Sequence, residues 1–186
     1  MVRWTVKVPD PIELDRVDSL GAGAVGRPGQ RAFYVQARKG DAVLTVLMEK
    51  EQVAMLAGEA ETFLDGLADS HPEPPEPLEI GAGELREPTV PLFRVRTIGL
   101  GFEPERDLVL IELRERIDAD DEEDDADDDV DDEEALEGWV ARVWATRAQV
   151  RAMVRRGSEA VAGGRARCPL CSFPMDPDGH ICPRWN

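Results

Sequence analysis

Apolar positions along this chain recur with two different periods, and the switches between them mark out its elements. Trp4, Val6 and Val8 alternate with polar residues and are closed by Pro9-Asp10-Pro11, which predicts a first strand over residues 4–8. Residues 33–37 and 42–49 are rich in aromatic and β-branched side chains. They flank Lys39-Gly40-Asp41, a turn signal that predicts a hairpin. Over residues 50–68 the period changes. Val53, Leu56, Ala57, Ala60, Leu64 and Leu67 fall at helical spacing, so a helix with one buried face is expected. Residues 93–102 and 107–116 predict a second hairpin around Glu103-Pro104-Glu105-Arg106, and residues 139–145 alternate again. Thr146 can cap a helix over 147–162, whose apolar stripe is Val150, Met153, Val154 and Val161 and which Gly163-Gly164 stop.

The segments between these elements lack either period. Residues 12–20 are polar and mixed, and residues 20–31 are Gly-rich and read as a turn-like loop. Residues 70–91 hold a proline cluster and then Gly81-Ala82-Gly83, the composition of a linker that is partly polyproline-like.

The two halves echo each other. Lys50-Glu51-Gln52-Val53-Ala54-Met55 is similar to Arg147-Ala148-Gln149-Val150-Arg151-Ala152-Met153, and each follows an alternating strand. The expected fold is therefore α+β. It is an antiparallel sheet with two helices on one face, made of two ββα-like halves, plus a C-terminal zinc knuckle. The α+β domain spans 1–162 and carries an acidic, disordered insertion at 117–137; the knuckle tail spans 163–186.

Charge changes this picture through its distribution. Residues 118–134 contain fourteen acids and no base, and without them the formal charge of −17 falls to −3. From residue 139 onward eight arginines face three acids, so the C-terminal region is basic. No secretory leader pattern and no bilayer-length apolar run is present, so a cytoplasmic protein without membrane attachment is expected.

The chemistry concentrates at the C-terminus. All three cysteines lie within fifteen residues, an odd count in a tight cluster that fits metal ligation better than disulfides. Cys168-Pro169-Leu170-Cys171 is a chelating bite, and His180-Ile181-Cys182 follows a loop of turn residues that folds it back on the first pair. Three thiolates and one imidazole complete a tetrahedron for one Zn ion, with no position left for water. Ile181 and Trp185 are expected to pack the knuckle on the domain. A redox-active Cys-x-x-Cys is the rival, but that motif usually starts a helix beside a sheet, whereas this one precedes turns.

These residues also carry a resemblance. Cys168-Pro169-Leu170-Cys171, the run from Asp176 through His180 and Cys182 to Arg184, and the run from Val25 to Phe33 are similar to signatures of a domain-of-unknown-function family of high-GC Gram-positive bacteria. Glu49-Lys50-Glu51-Gln52-Val53 and Phe93-Arg94-Val95 also look like it, and Ser172 stands where a Gly is common in that family. The resemblance implies a cytosolic location and no assigned activity.

Other constellations are weaker. Gly21-Ala22-Gly23-Ala24-Val25-Gly26 matches G-x-G-x-x-G, but a dinucleotide fingerprint must follow a buried strand and open a helix, so a flexible loop is the better reading. The turn at 26–31 exposes Arg27 and Arg31, which can hold an anion, although loops normally lie at the surface and a solvated turn is the simpler reading. Arg147, Arg151 and Arg155 recur every four residues, and with Arg165 and Arg167 they make a basic approach to the knuckle. That row suits RNA or DNA phosphates, although charge rows are commonly just solvated helix faces. Glu49 and Glu51 read as helix N-terminal charges rather than a catalytic pair. The preferred functional reading is a non-enzymatic, zinc-containing binding or adaptor protein whose partner is another protein. The alternatives are a nucleic-acid-binding protein using the basic helix and knuckle, and an enzyme with its site near the 26–31 turn.

Overall fold

A computed structural model of the chain describes residues 10–75, 77, 81–115, 138–165, 167–175 and 179–185. The strand expected at 4–8 and the acidic insertion at 117–137 lie outside the described residues. Seven strands and two helices follow one another as β1 (Ile12–Leu14), β2 (Ser19–Val25), β3 (Ala32–Lys39), β4 (Ala42–Met48), α1 (Lys50–Ala68), β5 (Phe93–Glu103), β6 (Leu108–Glu115), β7 (Val140–Ala145) and α2 (Arg147–Ala162). The strands form one sheet in the order β1-β7-β6-β5-β4-β3-β2.

Both hairpins and both helices stand where their periodicities place them. The sheet, however, is mixed rather than antiparallel: β4 pairs parallel to β5, and β1 pairs parallel to β7. Parallel neighbours need a crossover, and α1 supplies the one between β4 and β5. Each half is a three-stranded meander followed by a helix, one strand more than a ββα unit. The three strands of the second half stand where alternation places them; the strands missed are β1, in the stretch read as polar and mixed, and β2, inside the segment read as a loop.

The echo between the halves has a structural counterpart. Gln52 and Gln149 each occupy the third position of a helix. Gln52 Oε1 accepts from Glu49 N at 2.8 Å, and Gln149 Oε1 accepts from Thr146 N at 3.0 Å. Each amide then donates from Nε2 to a strand or strand-extension carbonyl, Gln52 to Val95 at 3.0 Å and Gln149 to Val17 at 2.9 Å. One side chain thus satisfies an orphan helix-start donor and docks the helix on the sheet. The next residues, Val53 and Val150, are both buried.

The sheet cannot be flat. Its two edge strands, β1 and β2, are separated in sequence only by residues 15–18. Six strand spacings of about 4.8 Å would put flat edges about 29 Å apart, whereas the five steps from Leu14 to Ser19 reach at most about 18 Å. The sheet therefore curls until its edges meet. Val17 N donates to Trp144 O of β7 at 2.9 Å, and the next residue, Asp18, donates to Arg38 O of β3 at 2.8 Å. Arg16, with φ 46°, makes the bend. The curled face gathers Phe33, Val35, Leu44, Val46, Ile111 and Val143 into one core with Val53, Leu64, Val150 and Met153 of the two helices.

The Gly-x-Gly run works through its lack of side chains. Gly21 pairs with Gly83, and Ala22 N donates to Gly83 O at 3.0 Å, so the segment after 81 joins the free edge of β2. A Cβ on Gly21 would stand 2.4 Å from Glu84 O, and one on Gly23 would meet Leu85. The chain then crosses the outer face of the sheet. There buried Gln36 accepts from Arg86 N at 3.0 Å and donates to Arg86 O at 2.9 Å and Thr45 Oγ1 at 3.0 Å. The stretch read as a linker is thus bound to the sheet along part of its length. The loop reading of 20–31 is corrected as well: β2 is a strand because neighbours on both sides supply the hydrogen bonds that its glycine-rich composition does not advertise. No helix follows it, so the case against a dinucleotide fingerprint stands.

Candidate metal centre

After α2 the chain makes a small hairpin whose tip is the first chelating bite. Arg167 pairs with Pro174, Cys168 N donates to Phe173 O at 2.8 Å, and Ser172 N donates to Cys168 O at 2.8 Å. Closing so tight a turn puts Ser172 at φ 63°, a left-handed conformation that glycine adopts more readily. The second bite, His180 and Cys182, is tied to the first by Arg184, whose Nη1 donates to Leu170 O at 3.1 Å.

The ligand atoms of Cys168, Cys171, His180 and Cys182 all lie within 4.8 Å of one another. The Cys168 and Cys182 sulfurs are 3.8 Å apart and both residues are buried. Cys171 Sγ lies 3.1 Å from His180 Nε2. Backbone N–H groups of Cys171 and then Leu170, inside the turn, pull the Cys168 pKa down to about 6. Desolvation pushes the Cys171 thiol up. The backbone donors inside the turn thus favour the Cys168 thiolate, the form that binds metal. All three cysteines are free, and the Cys-x-x-Cys sits in a hairpin turn, not at a helix start. This cluster can hold a metal ion.

The family model described as "Protein of unknown function (DUF3090)" matches residues 12–182, from the first residue of β1 to the last ligand of the cluster. The chain belongs to this family. No curated protein and no solved structure matches it.

The structure of this DUF3090 chain distributes the other candidate residues unevenly. Arg147 is only 3% exposed and leaves the proposed basic row. Its guanidinium donates to His71 O at 2.5 Å and Pro72 O at 3.0 Å, meets Asp107 at 2.8 Å and lies over the Phe102 ring. Arg151 pairs with Glu73 at 2.9 Å and Asp65 at 3.1 Å, and these pairs, Glu73 first, raise its pKa. The first two positions of the row are thus engaged inside the fold, while Arg155, Arg165 and Arg167 are exposed. Of the 26–31 turn, Arg27 points to solvent, and Arg31 lies beside the exit of α2. Glu49 pairs with Arg94 at 3.1 Å. The His71 ring lies tilted against that of Phe102, with centres 5.2 Å apart. Ile181 and Trp185 do not pack the knuckle on the domain: they are 97% and 78% exposed, and Leu170 and Phe173 of the first hairpin are exposed too. The residue that the sequence reading missed is Lys50, seen only as a helix start, whose ammonium faces the same glycine as Arg31. No periodicity signals such a convergence. Among the described residues no helix is long and apolar enough to cross a membrane.

Proposed function

We propose that the chain is a non-enzymatic, zinc-containing binding protein of the cytosol, whose C-terminal knuckle presents a rigid apolar surface to a protein partner. The observation that carries this reading is the meeting of three thiols and one imidazole within 4.8 Å. Zn–S bonds of about 2.3 Å in a tetrahedron set two sulfurs about 3.8 Å apart, the separation found for Cys168 and Cys182. Four protein ligands leave no open position, so the ion would be structural. It would fix the backbone of a segment too short to build a core. Leu170, Phe173, Ile181 and Trp185 of this short tail are all exposed, and they offer apolar contacts to a partner. Free thiols suit a reducing compartment.

Metal analysis of protein purified without chelator tests the first half, with one zinc per chain expected and near-zero zinc in Cys171→Ser. Cross-linking in cells of the source tests the second half. A partner captured by wild type but lost from both Cys171→Ser and the Phe173→Ser/Trp185→Ser pair supports the reading. Capture of the same set by all three proteins, or no zinc in wild type, overturns it.

A further inference from the structure

Outside the knuckle, a cavity of about 230 Å³ is lined by Gly29, Arg31, Phe33, Lys50, Gly164 and Arg165. Three of these are cations and none is an acid. They come from four pieces of chain: the 26–31 turn, the start of β3, the first residue of α1, and the exit of α2. Glycines stand against these cations on both sides of the cavity. A Cβ on Gly164 would lie 3.5 Å from Lys50 Nζ and 3.6 Å from Arg31 Nη2, and one on Gly163 would lie 3.5 Å from Arg31 Nη1. On the opposite wall a Cβ on Gly29 would lie 3.4 Å from Arg165 Cδ. The Arg31 guanidinium sits 5.5 Å from the Phe33 ring, which orients it.

Seven arginines of this fold, Arg94, Arg106, Arg114, Arg142, Arg147, Arg151 and Arg156, meet carboxylates. Among the described residues neither Arg31 nor Lys50 has such a partner. Part of their charge offsets the C-terminus of α2, which has no basic residue in its own last turn. That end carries only about half a negative charge.

We propose that this cavity binds a phosphate group, either inorganic phosphate or the head of a small phosphate monoester. Guanidinium forks match phosphate oxygens in pairs, and the ammonium adds a point charge. The cavity is smaller than the ~300–1,000 Å³ of sites that enclose a whole organic ligand, so the rest of an ester projects outward. Arg165 stands three residues before Cys168, so a bound phosphate links the domain to the knuckle tail. The site is separate from the metal centre and stands whether or not zinc is the ion there.

Calorimetric titration of the metal-loaded full chain at constant ionic strength tests it, with inorganic phosphate in one arm and glycerol phosphate in the other. Saturable binding is expected in at least one arm, weakened at least tenfold in Arg31→Gln and in Lys50→Gln and unchanged in Arg27→Gln. Tighter binding of glycerol phosphate supports the proposal with a monoester as ligand, and equal or tighter binding of inorganic phosphate supports it with the free anion. Because Arg31 and Lys50 also sit at the end of α2, thermal unfolding in chloride is run in parallel, and only the phosphate-dependent rise in Tm counts. No saturable binding of either probe, or equal binding by the Arg31→Gln/Lys50→Gln protein, overturns the proposal.

Discussion

Arg147 and Asp107 meet at 2.8 Å, joining the first residue of α2 to the turn between β5 and β6. The arginine is buried, while Asp107 is 41% exposed, so the aspartate can return to water if its partner is lost. The two carbonyls that Arg147 holds, His71 O and Pro72 O, would keep only what water can reach them. Arg147→Ala is expected to cost about 2–3 kcal/mol, mostly from those lost charge-assisted bonds. Arg155→Ala, on the exposed side of the same helix, should stay within about 0.5 kcal/mol. Denaturant unfolding of both variants checks this, and equal effects would show that Arg147 is not a structural clamp.

Removing the metal should loosen the tail and leave the domain folded. None of the four ligands belongs to the hydrophobic core that the sheet and helices share. With Cys171→Ser, or after chelation, limited proteolysis should cut beyond residue 163 at least tenfold faster. The main thermal transition should move by only a few degrees. Loss of the whole transition would mean that knuckle and domain fold as one unit.

Two glycines should respond to alanine with opposite signs. In Gly21→Ala the new Cβ would stand 2.4 Å from a backbone oxygen that is itself part of a bound segment, and about 2–4 kcal/mol should be lost. In Gly58→Ala, on the exposed side of α1, nothing lies within 4 Å, and helix propensity should add up to about 1 kcal/mol. Thermal unfolding of the pair decides. A harmless Gly21→Ala would show that the crossing segment does not lie against β2.

The acidic run at 118–134 should be replaceable. Its ends are already held together, because Glu115 N donates to Trp139 O at 2.8 Å and Arg114 pairs with Val140 in the β6–β7 ladder. β6 and β7 are thus adjacent antiparallel strands, and a four-residue Gly/Asn turn in place of the acidic run should leave their ladder closed. Loop closure favours the shorter form slightly. Chemical denaturation should show a change below about 1 kcal/mol, and a loss of several would give the acids a structural role.

Glu112 supplies a pH signature. Its carboxylate accepts from Arg142 at 2.8 Å and from Arg114 at 2.9 Å, and these bonds, Arg142 first, lower its pKa from 4.5. A lowered folded-state pKa gives stability that is fully present above the unfolded value and is lost as pH falls through the folded one. Wild type should therefore exceed Glu112→Gln in stability at pH 7, with the gap shrinking below about pH 4.5. A gap of the same size at pH 7 and pH 3 would remove this pairing from the account.

Local features of the chain determined what local physics controls. Helices α1 and α2 follow from the stripes of Val53, Leu64, Val150 and Met153 and from the glutamines at their third positions. Both act within one or two turns of backbone. The β3–β4 and β5–β6 hairpins follow from alternation around a short turn, and the ligand set follows from the spacing of three cysteines and His180. Tertiary structure alone decided the rest. β2 carries little strand propensity at Gly21 and Gly23, and it is a strand because β3 on one side and Gly83 on the other satisfy its backbone. The curl of the sheet comes from closing two edges across residues 15–18, a constraint between β7 and β3 that no local pattern contains. The same holds for charge. Arg147, Arg151 and Arg155 are equally spaced in sequence, yet Asp107, the His71 carbonyl and Glu73 arrive from distant segments to take the first two. Burial and partner supply are properties of the assembled chain, so a row of like charges shows where cations lie on a helix but not which of them remain for a ligand.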